Sequence, residues 1–166
     1  MSKAGWFLGA LLGLGAALML RRVSAVFDVS MSGTWRPPVV FQGGTRGMLA
    51  DLTLKNNTGT PTSVKLLPVI FRDKISWDSG NFISSFGFNG APGGPITGGQ
   101  NESALFTVQP GEVLALQAEM YMSTFVPGNN YIGAVYMMPA DYVWTGKEDA
   151  ASWPFDSIYS PELLVT

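Results

Sequence analysis

The sequence predicts an antiparallel all-β sandwich preceded by one N-terminal hydrophobic, membrane-spanning helix. Three observations lead there. Beyond residue 23, apolar residues recur with period two, and no stretch keeps a 3.6-residue apolar period. Turn-forming clusters break these runs at Asn56-Asn57-Thr58-Gly59, Asp78-Ser79-Gly80, Pro110-Gly111 and Pro127-Gly128-Asn129-Asn130. All eleven prolines fall after residue 36, whereas Ala4 to Leu20 is a run of seventeen residues without a charge.

The N-terminal run divides the chain. As a helix, seventeen residues span about 26 Å at 1.5 Å each, slightly short of the ~30 Å hydrocarbon core. Lys3 on one side and Arg21-Arg22 on the other can snorkel to the headgroups. Trp6 stands where an interfacial aromatic anchors a span. Phe7, Leu8, Leu11, Leu12, Leu14, Leu18 and Leu20 suit lipid tails. Gly5, Gly9, Gly13 and Ala17 recur every four residues and share one helical face, the small-xxx-small pattern of close helix packing. A retained anchor over residues 1–23 fits these features. A signal peptide cleaved at Val23-Ser24-Ala25 and a helix buried in a protein assembly are the other readings. Lys3 with the N-terminal amine balances the two arginines, so charge bias sets no orientation.

The strands follow in order. Val23–Met31 and Val39–Phe41 are short candidates. In Ala50–Lys55, Ala50, Leu52 and Leu54 face one way and Asp51, Thr53 and Lys55 the other. Val64–Phe71 is a longer apolar run with a bulge or an edge at Pro68. Asn81–Phe86 and Ala104–Val108 come next. In Val113–Ser123, Leu114, Leu116, Ala118, Met120 and Met122 form one face, opposite Gln117, Glu119, Tyr121 and Ser123. Tyr131–Met138 closes the set. Met120, Met122, Met137 and Met138 read as core filler. Residues 24–141 thus form the sandwich domain. Within it, 87–101, with six glycines and two prolines, reads as a long surface loop. Residues 142–166 read as an extended or partly helical tail packed on the sandwich, rich in aromatic residues.

The order of these segments resembles a known family. LADLTLKNNTG leads into SVKLLPVIFRD, then ISWDSG, and Phe106-Thr107-Val108-Gln109-Pro110-Gly111-Glu112 opens a long alternating strand. This is similar to the late-embryogenesis-abundant, water-stress-hypersensitivity type of β-sandwich, which implies an immunoglobulin-like fold over residues 46–123 and no catalytic residue. Asn57-Thr58 stands where the family has asparagine-proline. A short membrane helix running directly into such a sandwich also resembles small proteins encoded by bacteriophages, which implies a virion or membrane-associated structural part.

Composition narrows the chemistry. The chain of 166 residues has no histidine and no cysteine. That excludes Ser-His and Cys-His catalysis, thiol redox chemistry, disulfides and zinc sites built on Cys or His. Residues 24–166 hold seven basic and twelve acidic residues, a net of −5, a poor match to nucleic acid. The glycine-rich segment lacks the Gly-Lys-Ser/Thr of a phosphate cradle. Asp73 with Asp78, or Glu148 with Asp149, are the carboxylate pairs a glycosidase would need, but solvated turns are the simpler reading. Trp144, Trp153, Phe155 and Tyr159, beside Tyr142, form either a partner-contact platform or a second small core. The expectation is a non-enzymatic structural protein without cofactor, metal or small-molecule substrate. Its partners are a lipid membrane and other virion proteins, of capsid or membrane, or copies of itself. The expected setting is a membrane-containing bacteriophage particle. A host-attachment or spike module and a cell-envelope protein are the alternatives.

Overall fold

The computed structural model describes residues 28–36, 39–40, 46–77, 82–83, 85–98, 102–122, 128–145, 147–153 and 155–164. The expected anchor, with Trp6, Arg21, Arg22 and the row Gly5, Gly9, Gly13 and Ala17, lies outside these residues. The described residues are all-β, with antiparallel sheets and no helix. The strands are β1 Val29–Trp35, β2 Val39–Val40, β3 Arg46–Asn56, β4 Thr62–Arg72, β5 Phe82–Ile83, β6 Ser85–Asn89, β7 Ile96–Gly98, β8 Ala104–Val108, β9 Val113–Met122, β10 Asn130–Pro139, β11 Ser157–Tyr159 and β12 Leu163–Leu164. One sheet, sheet A, has the order β1-β3-β9-β6-β7, with β2 also on β3. Sheet B has the order β11-β10-β4-β5, with β8 also on β4 and β12 on β10.

The main core lies between the sheets. Period two aims Leu52 and Leu54 of β3, Leu114, Leu116, Ala118 and Met120 of β9, and Phe86 and Phe88 of β6 into it. They meet Val64, Leu66 and Ile70 of β4, Phe106 and Val108 of β8, and Val135 and Met137 of β10.

Pro68 sits inside a continuous β4, facing Val135 of β10. On the other side of β4, the β8 ladder ends at Leu66 and the β5 ladder begins at Ile70. Pro68 therefore falls in the interval where neither strand needs a donor from it.

Two sequence expectations change. The run expected as one strand over Asn81–Phe86 divides between the sheets: β5 pairs with β4, and β6 pairs with β9. The expected loop 87–101 holds the end of β6 and all of β7, paired from Phe86↔Gly98 to Phe88↔Ile96. Its glycines serve a hairpin. The Phe86 ring lies where a Cβ on Gly98 would stand, and Gly93 and Gly94 in the tip have φ of 95° and 111°.

Candidate functional site

Two surfaces gather the polar and aromatic residues that could carry function. The first is the outer face of sheet B. Odd-numbered residues of β4 and even-numbered residues of β10 point outward there: Leu67, Val69, Phe71, Ala134, Tyr136 and Met138. Bare, this would be an apolar sheet face in water. The C-terminal segment covers it with Ala150 and Trp153, and Ile75, Trp77, Tyr142, Trp144, Phe155 and Tyr159 pack around them. Tyr136 is central, with its ring centroid 5.0 Å from Trp153, 5.4 Å from Trp77 and 5.8 Å from Tyr159. The Tyr136 and Tyr159 hydroxyls reach the Ala150 carbonyl at 3.1 and 3.0 Å. Burial pushes the Tyr136 phenol above its ordinary range, with Tyr159 adding to the shift.

The cover is knitted by its own acids. One Glu148 oxygen accepts from the Tyr142 hydroxyl at 2.9 Å and from the Thr145 amide and hydroxyl at 2.9 and 3.0 Å. Burial alone would raise the carboxyl, but these bonds and its own N–H outweigh it and hold Glu148 at about 2. Asp149 accepts from the Ala151 N–H and the Ser152 hydroxyl, which lowers it too. Lys65 of β4 donates to the Tyr142 carbonyl at 2.9 Å and ties the cover to the sheet. Beside it lies a hollow of about 250 Å³, walled by Ser76, Trp77, Glu148 and Asp149. The Trp153 Nε1 is buried without a hydrogen-bond partner among the described residues.

Trp144, Trp153, Phe155 and Tyr159 are thus brought together, in a packed second core. The carboxylates that sequence spacing pairs are held apart in role. Asp73 receives the Asn130 N–H at the start of β10, whereas Glu148 and Asp149 serve the cover. Asp78 lies outside the described residues.

The second surface is the outer face of sheet A, an open concavity of about 620 Å³. Ser32 and Thr34 of β1, Asp51 and Thr53 of β3, Gln117 of β9 and Asn89 of β6 are among its lining residues. Arg36 grips Asp51 with two donors, Nε at 2.6 Å and Nη2 at 2.9 Å, and Gln117 adds a third at 3.2 Å. The Arg36 bond lowers Asp51 below the usual carboxylate range; burial opposes it, and the Gln117 bond and the Arg36 charge add to it. Glu119 takes donors from Asn89 and Tyr121. Burial, together with Glu119, pushes Tyr121 up to about 12. Sequence spacing did not suggest either cluster; only the β3–β9–β6 register brings these residues side by side.

The described residues contain no group of three acids placed to hold a metal ion. The acids and tyrosines with shifted pKa values move away from neutrality, and a group that shuttles protons near pH 7 needs the reverse. In both surfaces the acids and tyrosines hold fixed hydrogen bonds.

No family model matches the chain, and no curated protein matches it. Among solved structures it is similar to the crystal structure of FixG-related protein from Vibrio parahaemolyticus, at 13% identity and a TM-score of 0.49, over 84% of this chain and 98% of that one.

Proposed function

We propose that the protein is a non-enzymatic structural component, a β-sandwich held on a lipid membrane by residues 1–23. Its proposed setting is the particle of a membrane-containing bacteriophage, where it links membrane and capsid as a minor component. One observation carries the non-enzymatic part: the carboxylates act as braces. Asp51 binds Arg36, Asp73 caps β10, Glu112 receives the Gln109 N–H, and Glu148 and Asp149 close the C-terminal cover. An acid engaged by fixed donors is a poorer proton acceptor for a substrate than a free one. The aromatic residues that a spike or attachment module would offer to a partner are engaged in the second core, which favours the structural reading over that alternative.

The strand order supports the finer reading of an immunoglobulin-like sandwich. β1-β3-β9-β6 corresponds to strands A-B-E-D and β11-β10-β4 to G-F-C of that fold.

Flotation and fractionation test the proposal. The full chain should float with liposomes, and a fragment beginning at Ser24 should not. In infected cells the protein should co-sediment with particles. Sedimentation with cell envelopes alone would favour the cell-envelope reading, and equal flotation of both forms would remove the anchor.

A further inference from the structure

We propose that one end of the sandwich, built from the β3–β4 and β8–β9 turns, rests on the headgroup layer of the bilayer that holds the N-terminal segment. The inference rests on the anchoring reading above and adds an orientation and a contact surface to it.

The chain enters the sandwich at this end. Asp28 precedes β1, and its carbonyl accepts from the Asn57 N–H at 2.8 Å. The Asn57 side chain also donates to the Ser30 hydroxyl at 3.2 Å. The entry point is therefore bonded to the β3–β4 turn. That turn is in turn bonded to the β8–β9 turn, through Asn56 N–H to the Glu112 carbonyl at 3.2 Å and Asn56 Nδ2 to the Val108 carbonyl at 2.8 Å.

Reach then rules out an inverted sandwich. From Arg22 to Asp28 is six residue steps, at most about 20 Å fully extended. β4 runs the length of the sandwich, and its eleven residues span about 37 Å. An inverted sandwich would hold Asp28 about 37 Å above the headgroups, beyond that reach.

The chemistry of this end fits a lipid surface. Asn57-Thr58-Gly59-Thr60-Pro61 and Gln109-Pro110-Gly111 carry no charge. The tip Gly90–Pro95 of the β6–β7 hairpin points the same way and is uncharged too. The Glu112 carboxylate turns back onto the Gln109 N–H at 2.7 Å. The turns and the hairpin tip bring no charge to the contact, and the exposed Asp28 and Lys55 at this end stay at its wet rim. The exposed large aliphatic residues among the described ones also crowd this half. Val113, 59% exposed, pairs with Lys55 beside the turn. Leu105 pairs with Lys65, near the start of β4. Val143 lies one turn beyond Pro139, which pairs with Val64.

The chain has no cysteine, so each introduced thiol is a unique labelling site. Thr60→Cys and Gln109→Cys place a fluorophore at the proposed contact end. Lys74→Cys and Asn129→Cys place it at the other. Full-length protein is reconstituted in phosphatidylcholine vesicles carrying a headgroup spin label. Quenching at both Thr60 and Gln109 should exceed that at Lys74 and Asn129 several-fold. If the protein does not float with the vesicles, the anchoring reading fails and takes this one with it. If it floats and all four labels are quenched alike, the sandwich lies on its side. If it floats and none is quenched, this end is held off the lipid by protein. Either of the last two overturns the orientation alone.

Discussion

The side-chain amide of Asn56 donates to the backbone carbonyl of Val108, 52 residues along the chain, at 2.8 Å. Asn56 is 1% exposed, and its whole hydrogen-bonding capacity is used. The same Nδ2 donates to the Thr60 carbonyl at 2.8 Å, and Oδ1 accepts from the Thr58 N–H and hydroxyl, each at 2.8 Å. Replacing it strands buried partners. Asn56→Leu should cost about 2–4 kcal/mol, read as a lowered urea midpoint. Asn56→Asp should cost more above pH 5, because a carboxylate would face two carbonyls. The same packing closes Asn56 to glycosylation in the folded state, although Asn56-Asn57-Thr58 matches the sequon.

Gly133 of β10 lies directly under the Trp35 indole. A Cβ there would stand 2.5 Å from Trp35 Cζ3, so the ring would have to move. Gly133→Ala should destabilise by about 1–3 kcal/mol through overpacking. Trp35→Leu should recover part of that loss in the double variant. A double-mutant cycle by chemical denaturation measures the coupling; strict additivity would mean the two residues do not meet.

Tyr136 separates packing from hydrogen bonding in the second core. Tyr136→Phe keeps the ring, and the Ala150 carbonyl keeps its bond from Tyr159. The cost should be about 0.5–1.5 kcal/mol. Tyr136→Ala empties the centre of the aromatic cluster and should cost about 3–5 kcal/mol. Near-ultraviolet circular dichroism should change little in the first variant and collapse in the second.

Glu148 makes the fold acid-sensitive. Its carboxyl sits at about 2 in the fold against an ordinary 4.5 in the unfolded chain. As pH falls, the unfolded chain takes up the proton first, so folding loses its advantage. The stabilisation is complete above about pH 4.5 and is lost between there and pH 2. Glu148→Gln should melt lower than the parent at pH 6, and the gap should close as pH approaches 2. A gap that stays constant across this range would remove the assigned role.

The glycine row of the N-terminal segment is costly for a plain tether, at roughly 1 kcal/mol of helix propensity per glycine relative to alanine. Gly9→Ile and Gly13→Ile should preserve flotation with liposomes. They should reduce incorporation into assembled particles or dissolve a detergent-stable oligomer. Unchanged assembly would leave the segment as a tether only.

Much of the sheet structure was legible because alternation is a local signal. Ala104–Val108 matches β8 residue for residue, and the inward set of β9 begins at Leu114 as its spacing requires. Glycine content misled at 87–101, because a hairpin that packs a ring over Gly98 has the composition of a loop. β4 and β10 lack alternation for a physical reason: each is covered on both faces, so both faces are apolar. Which faces are covered depends on residues 140–159 folding back, a relationship that local spacing does not contain. The Arg36–Asp51 grip and the Gly133–Trp35 contact were hidden for the same reason, since each depends on strand register or sheet packing.

The cover over sheet B is synthesised after the strands it protects. β4 and β10 are complete at residue 139, but Trp153 and Tyr159 follow later. At about 5–20 residues per second, the ribosome needs roughly one to four seconds to add them. Through that interval Leu67, Val69, Phe71 and Tyr136 are uncovered on a paired, apolar sheet surface, the kind that captures chaperones or other nascent chains. A chain truncated between Pro139 and Ala150 would have most of these strands and a permanently adhesive flank. Synthesis through Tyr159 is thus the condition for covering sheet B.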